Sequence, residues 1–247
     1  MNRDARRLCV FFSAGGSRYA LDAVRVLEVA RTNEQGVLPL SQHDQVRDLS
    51  RLLGGDDEPD ARAGVVVDVS PTIAVRVTQV DGVFDTAPLP RWPVQGRLIP
   101  LIAPAISAAL EFDGRLVFEL DAEGAARGLP RQSKPLERHT REAESALVFW
   151  VRDERLAMPL HHVAQVIESG AHFNRCPNAG SFLGVAQHRG VLCPVFTVGA
   201  LGAVEPFVVL FEVNRDLLGL SVTAVEGVRD GSSLNGVPML DVGRMFS

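Results

Sequence analysis

Three cysteines in 247 residues, Cys9, Cys176 and Cys193, are too few, and odd in number, for a disulfide framework. No apolar stretch reaches the roughly 18–20 residues that a membrane-crossing helix needs, so direct membrane insertion is not expected. No Lys/Arg run exceeds two residues and the formal net charge is −5, which argues against nucleic acid or an anionic membrane surface as main partner. Long Ala/Leu/Glu/Lys runs of helical period are missing. So are a Gly-x-Ser-x-Gly nucleophile elbow and a phosphate-cradling loop, since Ala14-Gly15-Gly16-Ser17 lacks the lysine of a P-loop. The charged start, Met1 to Arg7, leads straight into a strand-like run with no cleavage pattern behind it, which points to a cytoplasmic protein.

What is present is a soluble, globular composition. Hydrophobic residues make up 46% and charged residues 22%, with a mean hydropathy of +0.10. Fifteen prolines and 22 glycines imply many turns, and the balance leans towards β structure.

The chain repeats itself. Cys9-Val-Phe-Phe12, followed by Arg18-Tyr-Ala-Leu21, Val26, Glu28 and Val29, aligns with Ala146-Leu-Val-Phe149, Arg155-Leu-Ala-Met158, Val163, Gln165 and Val166 at an offset of 137. Each reads as a hairpin, with turns at Ala14–Ser17 and Arg152–Glu154. Val75–Val83 aligns with Leu220–Val228 at an offset of 145, so the first copy is eight residues shorter between these blocks. Glu119-Leu-Asp121 aligns with Met239-Leu-Asp241 at an offset of 120, so the second copy has lost 25 residues there. This is a domain duplication, with boundaries at 1–129 and 145–247. The seam, 130–144, is polar and holds two prolines, the composition of an exposed linker whose second half could form a short helix. Alternation at Ile73, Val75 and Val77 marks half-buried strands. Short helices are expected at Asp48–Leu53, Pro104–Leu110 and Val242–Phe246.

Three segments of the second copy carry a family resemblance: Leu156-Ala-Met-Pro-Leu160 with Val163 and Val166-Ile167; Gly184-Val-Ala-Gln-His-Arg189-Gly190-Val-Leu-Cys-Pro194-Val195; and Phe207–Phe211 with Gly219-Leu-Ser-Val222 and Val225-Glu226. Together they resemble the CheW family of chemotaxis coupling proteins, the Gly–Arg–Gly–Pro spacing being the most specific feature. The first copy resembles it less. It keeps Tyr19-Ala-Leu21, Val26–Val29, Asp48-Leu49 with Leu52-Leu53-Gly54, and Asp113–Asp121, while Arg31–Val46 replaces the Arg-Gly block with a shorter polar stretch. The resemblance implies an all-β fold of two CheW-like modules, each of two small five-stranded SH3-like barrels with a few short helices. It also implies a non-enzymatic adaptor that couples chemoreceptor cytoplasmic tips to a CheA-type histidine kinase, with other CheW-like proteins as further partners and no cofactor. A scaffold or localisation factor for a different client is the alternative.

The resemblance directs attention to the strand end at His188, Arg189 and Gly190, where a glycine frees the backbone for a tight turn and arginine offers a planar fork to carboxylates or carbonyls. A solvated or internally paired Arg189 is the competing reading. The apolar residues Phe182, Val185 and Val195, with Leu183 and Phe196, suit either core or a partner groove, because both uses need apolar side chains at alternate positions. His172 with Cys176, and His188 with Cys193, are spaced too loosely for a typical zinc site, and at most one of His161 and His162 could join one. Cys193 lies within an apolar strand, where a small buried residue is expected. No metal site is expected.

Overall fold

In the computed structural model the described residues are 6–32, 45–54, 60–95, 99–102, 104–128, 145–170, 173–176, 181–198, 205–234 and 236–246. The linker expected at 130–144 and most of the polar stretch after Arg31 lie outside them. The chain divides into two compact units: Met1–Arg131 with Asn174–Asn178 and Gly190–Leu192, and Gln132–Phe173 with Ala179–Arg189 and Cys193–Ser247.

The first copy forms strands β1 (Leu8–Ala14), β2 (Ser17–Asp22), β3 (Val26–Arg31), β4 (Val46–Asp48), β5 (Ala63–Val67), β6 (Ile73–Val77), β7 (Gln79–Asp85), β8 (Arg91–Pro93), β9 (Ile106–Phe112) and β10 (Arg115–Leu120). They make a six-stranded sheet ordered β7-β1-β2-β10-β9-β8 and a four-stranded sheet ordered β3-β5-β6-β4. The second copy forms β11 (Ser145–Val151), β12 (Glu154–Pro159), β13 (Val163–Glu168), β14 (Phe173–Arg175), β15 (Phe182–His188), β16 (Val191–Phe196), β17 (Phe207–Val213), β18 (Asp216–Val222) and β19 (Ala224–Asp230). Its sheets are a three-stranded β12-β11-β19 and a six-stranded β13-β17-β18-β16-β15-β14. The all-β architecture, with a few short helices, agrees with expectation.

The repeat survives at the level of register. Phe11 faces Gly82, with a bulge before Phe12, just as Val148 faces Gly227 with a bulge before Phe149. Thr78 N donates to Ser13 O at 2.8 Å, and Thr223 N donates to Trp150 O at 2.7 Å. Ala20 pairs in parallel with Glu119, and Ala157 with Met239. These pairs obey the offsets of 137, 145 and 120 found in the sequence. A one-residue slip would turn every buried side chain to the wrong face, so a matching register means a matching core.

Among the described residues four short α-helices punctuate the strands: α1 (Leu49–Leu52), α2 (Ile99–Ile102), α3 (Ala122–Arg127) and α4 (Val242–Met245). Aspartates cap three of them. Asp48 Oδ1 accepts from Ser50 N at 3.0 Å, Asp121 Oδ1 from Gly124 N at 2.6 Å and Asp241 Oδ1 from Arg244 N at 3.3 Å. The expected helix at Pro104–Leu110 is instead strand β9. Its Ala-Ala-Leu run favours a helix locally, but β8 and β10 flank it on both sides and bury Ile106, Ala108, Ala109 and Leu110. Tertiary pairing outweighs propensity here.

The aligned pair Glu119 and Met239 solves one packing problem in two ways. In the first unit Glu119, on β10, has a side chain only 5% exposed. Its Oε1 accepts from Arg7 Nη2 at 2.7 Å, Arg91 Nη2 at 3.1 Å and Ser107 Oγ at 2.8 Å, and its Oε2 accepts from Arg91 Nε at 3.1 Å. Burial pushes its pKa up, but the hydrogen bonds from Arg91, Arg7 and Ser107 outweigh that and hold the carboxyl down at about 2. The carboxylate thus ties Arg7, just before β1, and Arg91 on β8 to β10. Among the described residues of the second unit there are no strands equivalent to β8 and β9. There Leu234 and Met239 pack with Ala146, Val148 and Ala157, and Val237 lies against them. An apolar plug stands where the first unit has strands and a buried charge.

Candidate surface for a protein partner

The Arg-Gly turn joins β15 to β16. Arg189 has φ 48° and Gly190 φ 81°, so both central residues are left-handed, as a type I′ hairpin turn requires. Glycine takes that conformation freely; arginine does so against the contact of its Cβ with the backbone. Arg189 is exposed and makes no hydrogen bond or ion pair among the described residues. His188 is half-buried and has an interaction of its own.

Phe182, Val185 and Val195 lie elsewhere. All three are fully buried. Val195 packs with Ala186, Cys193, Val208 and Leu210, and the Phe182 ring lies 5.8 Å from that of Phe196. The Phe196 ring meets Phe246 at 5.0 Å, which also meets Phe211 at 5.5 Å. Of the two uses left open by the sequence, these residues take the core. They hold the strands that present the turn and do not themselves face a partner. Leu183 is buried with them.

Cys193 belongs to the same core, and burial pushes its thiol up to about 12. Burial likewise pushes the Cys9 thiol up, and Cys176 is buried. Among the described residues no group of three or more His, Cys, Asp or Glu is placed to hold a metal ion; His172 lies outside them. Among the same residues no helix is long and apolar enough to cross a membrane.

Three surface features escaped the sequence reading. In the first unit Val24, Leu27 and Val29 are 79%, 60% and 42% exposed, on the turn into β3 and on β3 itself, an end strand of its sheet. The aligned residues of the second copy are His161, Ala164 and Val166, of which Ala164 is small and Val166 half-buried, so the larger exposed apolar surface at this place belongs to copy one. The signal was there, since three apolar residues at 24, 27 and 29 fit no single face of a strand. In the second unit Arg155 forks onto Glu226, with Nε to Oε1 at 2.9 Å and Nη2 to Oε2 at 2.7 Å, while Trp150 Nε1 donates to Oε1 at 2.7 Å. The Arg155 bond lowers the Glu226 pKa. The third feature is Arg215, at the tip of the β17–β18 hairpin.

The match to a family model falls on the same half of the chain. Residues 145–235 match the family model described as the CheW-like domain. Among solved structures the chain is similar to the scaffolding protein TtCheW from Thermoanaerobacter tengcongensis, with 21% identity over 35% of this chain and 64% of that one and a TM-score of 0.31. The matched region is thus less than two thirds of that protein's length. No curated protein matches the chain.

Proposed function

We propose, for a chain whose residues 145–235 are a CheW-like domain, that the protein is a non-enzymatic cytoplasmic adaptor in a chemosensory-type signalling system. CheW-family proteins are scaffolds that interact with receptors and with CheA. In this reading the chain couples chemoreceptor tips to a CheA-type histidine kinase through protein contacts alone, without a cofactor. Its two modules, 1–129 and 145–247, are joined by the linker at 130–144.

The family match carries the reading, and two surface features support it. Arg189, raised on a tight turn over a packed sheet, is a preorganised contact for carboxylates or backbone carbonyls of a partner. His188 and Gly190 shape that turn, and Phe182, Val185 and Val195 fix the strands beneath it. The exposed Val24, Leu27 and Val29 add an apolar surface in copy one, the composition expected of an interface core. A second reading, a scaffold for a client outside a receptor array, draws on copy one having lost the Arg-Gly block.

Calorimetric titration of the full chain with the regulatory domain of a CheA-type kinase tests the proposal. Saturable binding, weakened at least tenfold by Arg189→Glu with the melting temperature within a few degrees, is expected. No binding to that domain or to receptor-tip fragments would discard the array role and leave the second reading.

A further inference from the structure

The six-stranded sheet of the second copy brings a second arginine to the Arg189 end. Strands β16 and β18 are neighbours and run parallel, with Val195 opposite Gly219 and Phe196 opposite Leu220. Parallel strands begin at the same end of a sheet. Each of these two begins at a hairpin turn, Arg189-Gly190 before β16 and Asn214-Arg215 before β18. Counted back from the Val195–Gly219 pair, Arg189 is six residues away along its chain and Arg215 four. With neighbouring strands about 4.8 Å apart and a rise of about 3.3 Å per residue, the backbones at 189 and 215 lie on the order of 10 Å from each other.

Both turns break the same local rule. A type I′ turn favours Asn at its first central position and Gly at its second. The first turn keeps Gly190 but has arginine where Asn is favoured. The second keeps Asn214 but has arginine where Gly is favoured. Arg189 at φ 48° and Arg215 at φ 71° both occupy the left-handed region, which an arginine side chain adopts at a steric cost. Both are exposed, and neither makes a hydrogen bond or ion pair among the described residues. Two like charges are therefore held near each other, each in a disfavoured conformation, with no internal contact to offset either. The glycines of the first unit's β1–β2 turn, Gly15 and Gly16, show that this fold builds the same kind of turn without the cost.

We propose that Arg189 and Arg215 form a two-pronged docking site for an acidic segment of a protein partner, each guanidinium taking a carboxylate. The proposal rests on the adaptor reading and names the chemistry that its partner presents. A protein segment fits better than a polyanion. Two cations are few against a net charge of −5, and Glu212 and Asp216 flank the second turn, so nucleic acid meets repulsion where a segment of mixed charge does not. Bidentate pairing of arginine with carboxylate supplies direction as well as attraction.

The replacements that test this also repair the turns. The full chain carrying Arg189→Asn and Arg215→Gly has Asn-Gly at both tips. Wild type and double variant are titrated at low salt with a capped hexaglutamate peptide, with inorganic phosphate and with a single-stranded oligonucleotide, following the arginine Nε–H signals by NMR. Wild type should show saturable shifts of both the Arg189 and Arg215 signals with the peptide, weakening as salt rises. Phosphate and the oligonucleotide should bind more weakly. The double variant should bind the peptide at least tenfold less tightly while melting at the same temperature or higher. No saturable shift at either arginine, equal peptide binding by the variant, tighter binding of phosphate or oligonucleotide, or a lower melting temperature would each overturn the proposal. None of these readouts uses the kinase domain, so failure here is distinct from failure of the adaptor reading.

Discussion

The two units are the same module reduced in opposite places. In the first, the sheet containing the opening hairpin has six strands and the other has four described strands; in the second, the corresponding numbers are three and six. The registers shared by β1, β2 and β7 with β11, β12 and β19 show that the hairpin core tolerates loss of its neighbours. Tolerance has a physical requirement, because apolar side chains exposed by deletion must be covered again. The second unit covers them with Leu234, Val237 and Met239 from one short stretch. The first keeps β8, β9 and β10 and ties them to the chain start through Glu119. Apolar plug and buried ion cluster are alternative closures of one sheet.

The largest expected effect separates the units at aligned helix positions. A Cβ on Gly124 would lie 1.5 Å from Pro104 O, while the second copy carries Arg244 at the matching place. Gly124→Ala forces α3 off the backbone it touches, and we expect a loss of about 3 kcal/mol or more, read by calorimetry as a lowered transition or as insoluble protein. Retention of the wild-type melting curve would mean that α3 is loosely held.

Next come the plug residues. Met239→Ala and Leu234→Ala each delete buried side chain from a core with few other members, and a loss of about 2–4 kcal/mol is expected in urea unfolding. Effects well below 1 kcal/mol would show that the plug fills space without closing the sheet.

Glu119→Gln tests the other closure and adds a dependence on pH. The folded pKa of Glu119 lies below its unfolded value, so its contribution is complete above about 4.5 and is lost as pH falls towards about 2. The difference in stability between wild type and variant should therefore be widest above pH 5, up to about 3 kcal/mol, and should narrow as pH falls. A gap independent of pH across that window would mean that the carboxylate is not the stabilising group. Arg155→Ala should have the smallest effect, because the Arg155–Glu226 pair lies on the surface; its melting curve should overlay wild type.

Much of this was legible in the sequence, for a reason that also sets the limit. Strands alternate, so Ile73, Val75 and Val77 announced β6, and the three offsets matched segments that take equivalent pairings within each copy. The Arg189-Gly190 turn was readable because glycine after a strand signals a hairpin. Strand β9 was not, since its alanines carry no strand signal and only β8 and β10 hold it extended. Nor was the core role of Glu119, whose two arginine partners lie 112 and 28 residues away. Arg215 was missed because its meaning depends on a parallel pairing between β16 and β18 that no local pattern encodes. The apolar residues 182, 185 and 195 were found, but their use was settled only by burial.

Amide hydrogen exchange of the full chain, read segment by segment, tests most directly whether the plug does the work of the missing strands. The account predicts that Ala146–Phe149 on β11 is protected to within about tenfold of Cys9–Phe12 on β1, since each segment is paired on both sides and buried. Rapid exchange across Ala146–Phe149, with Cys9–Phe12 still protected, would contradict it and mark the three-stranded sheet of the second unit as incomplete on its own.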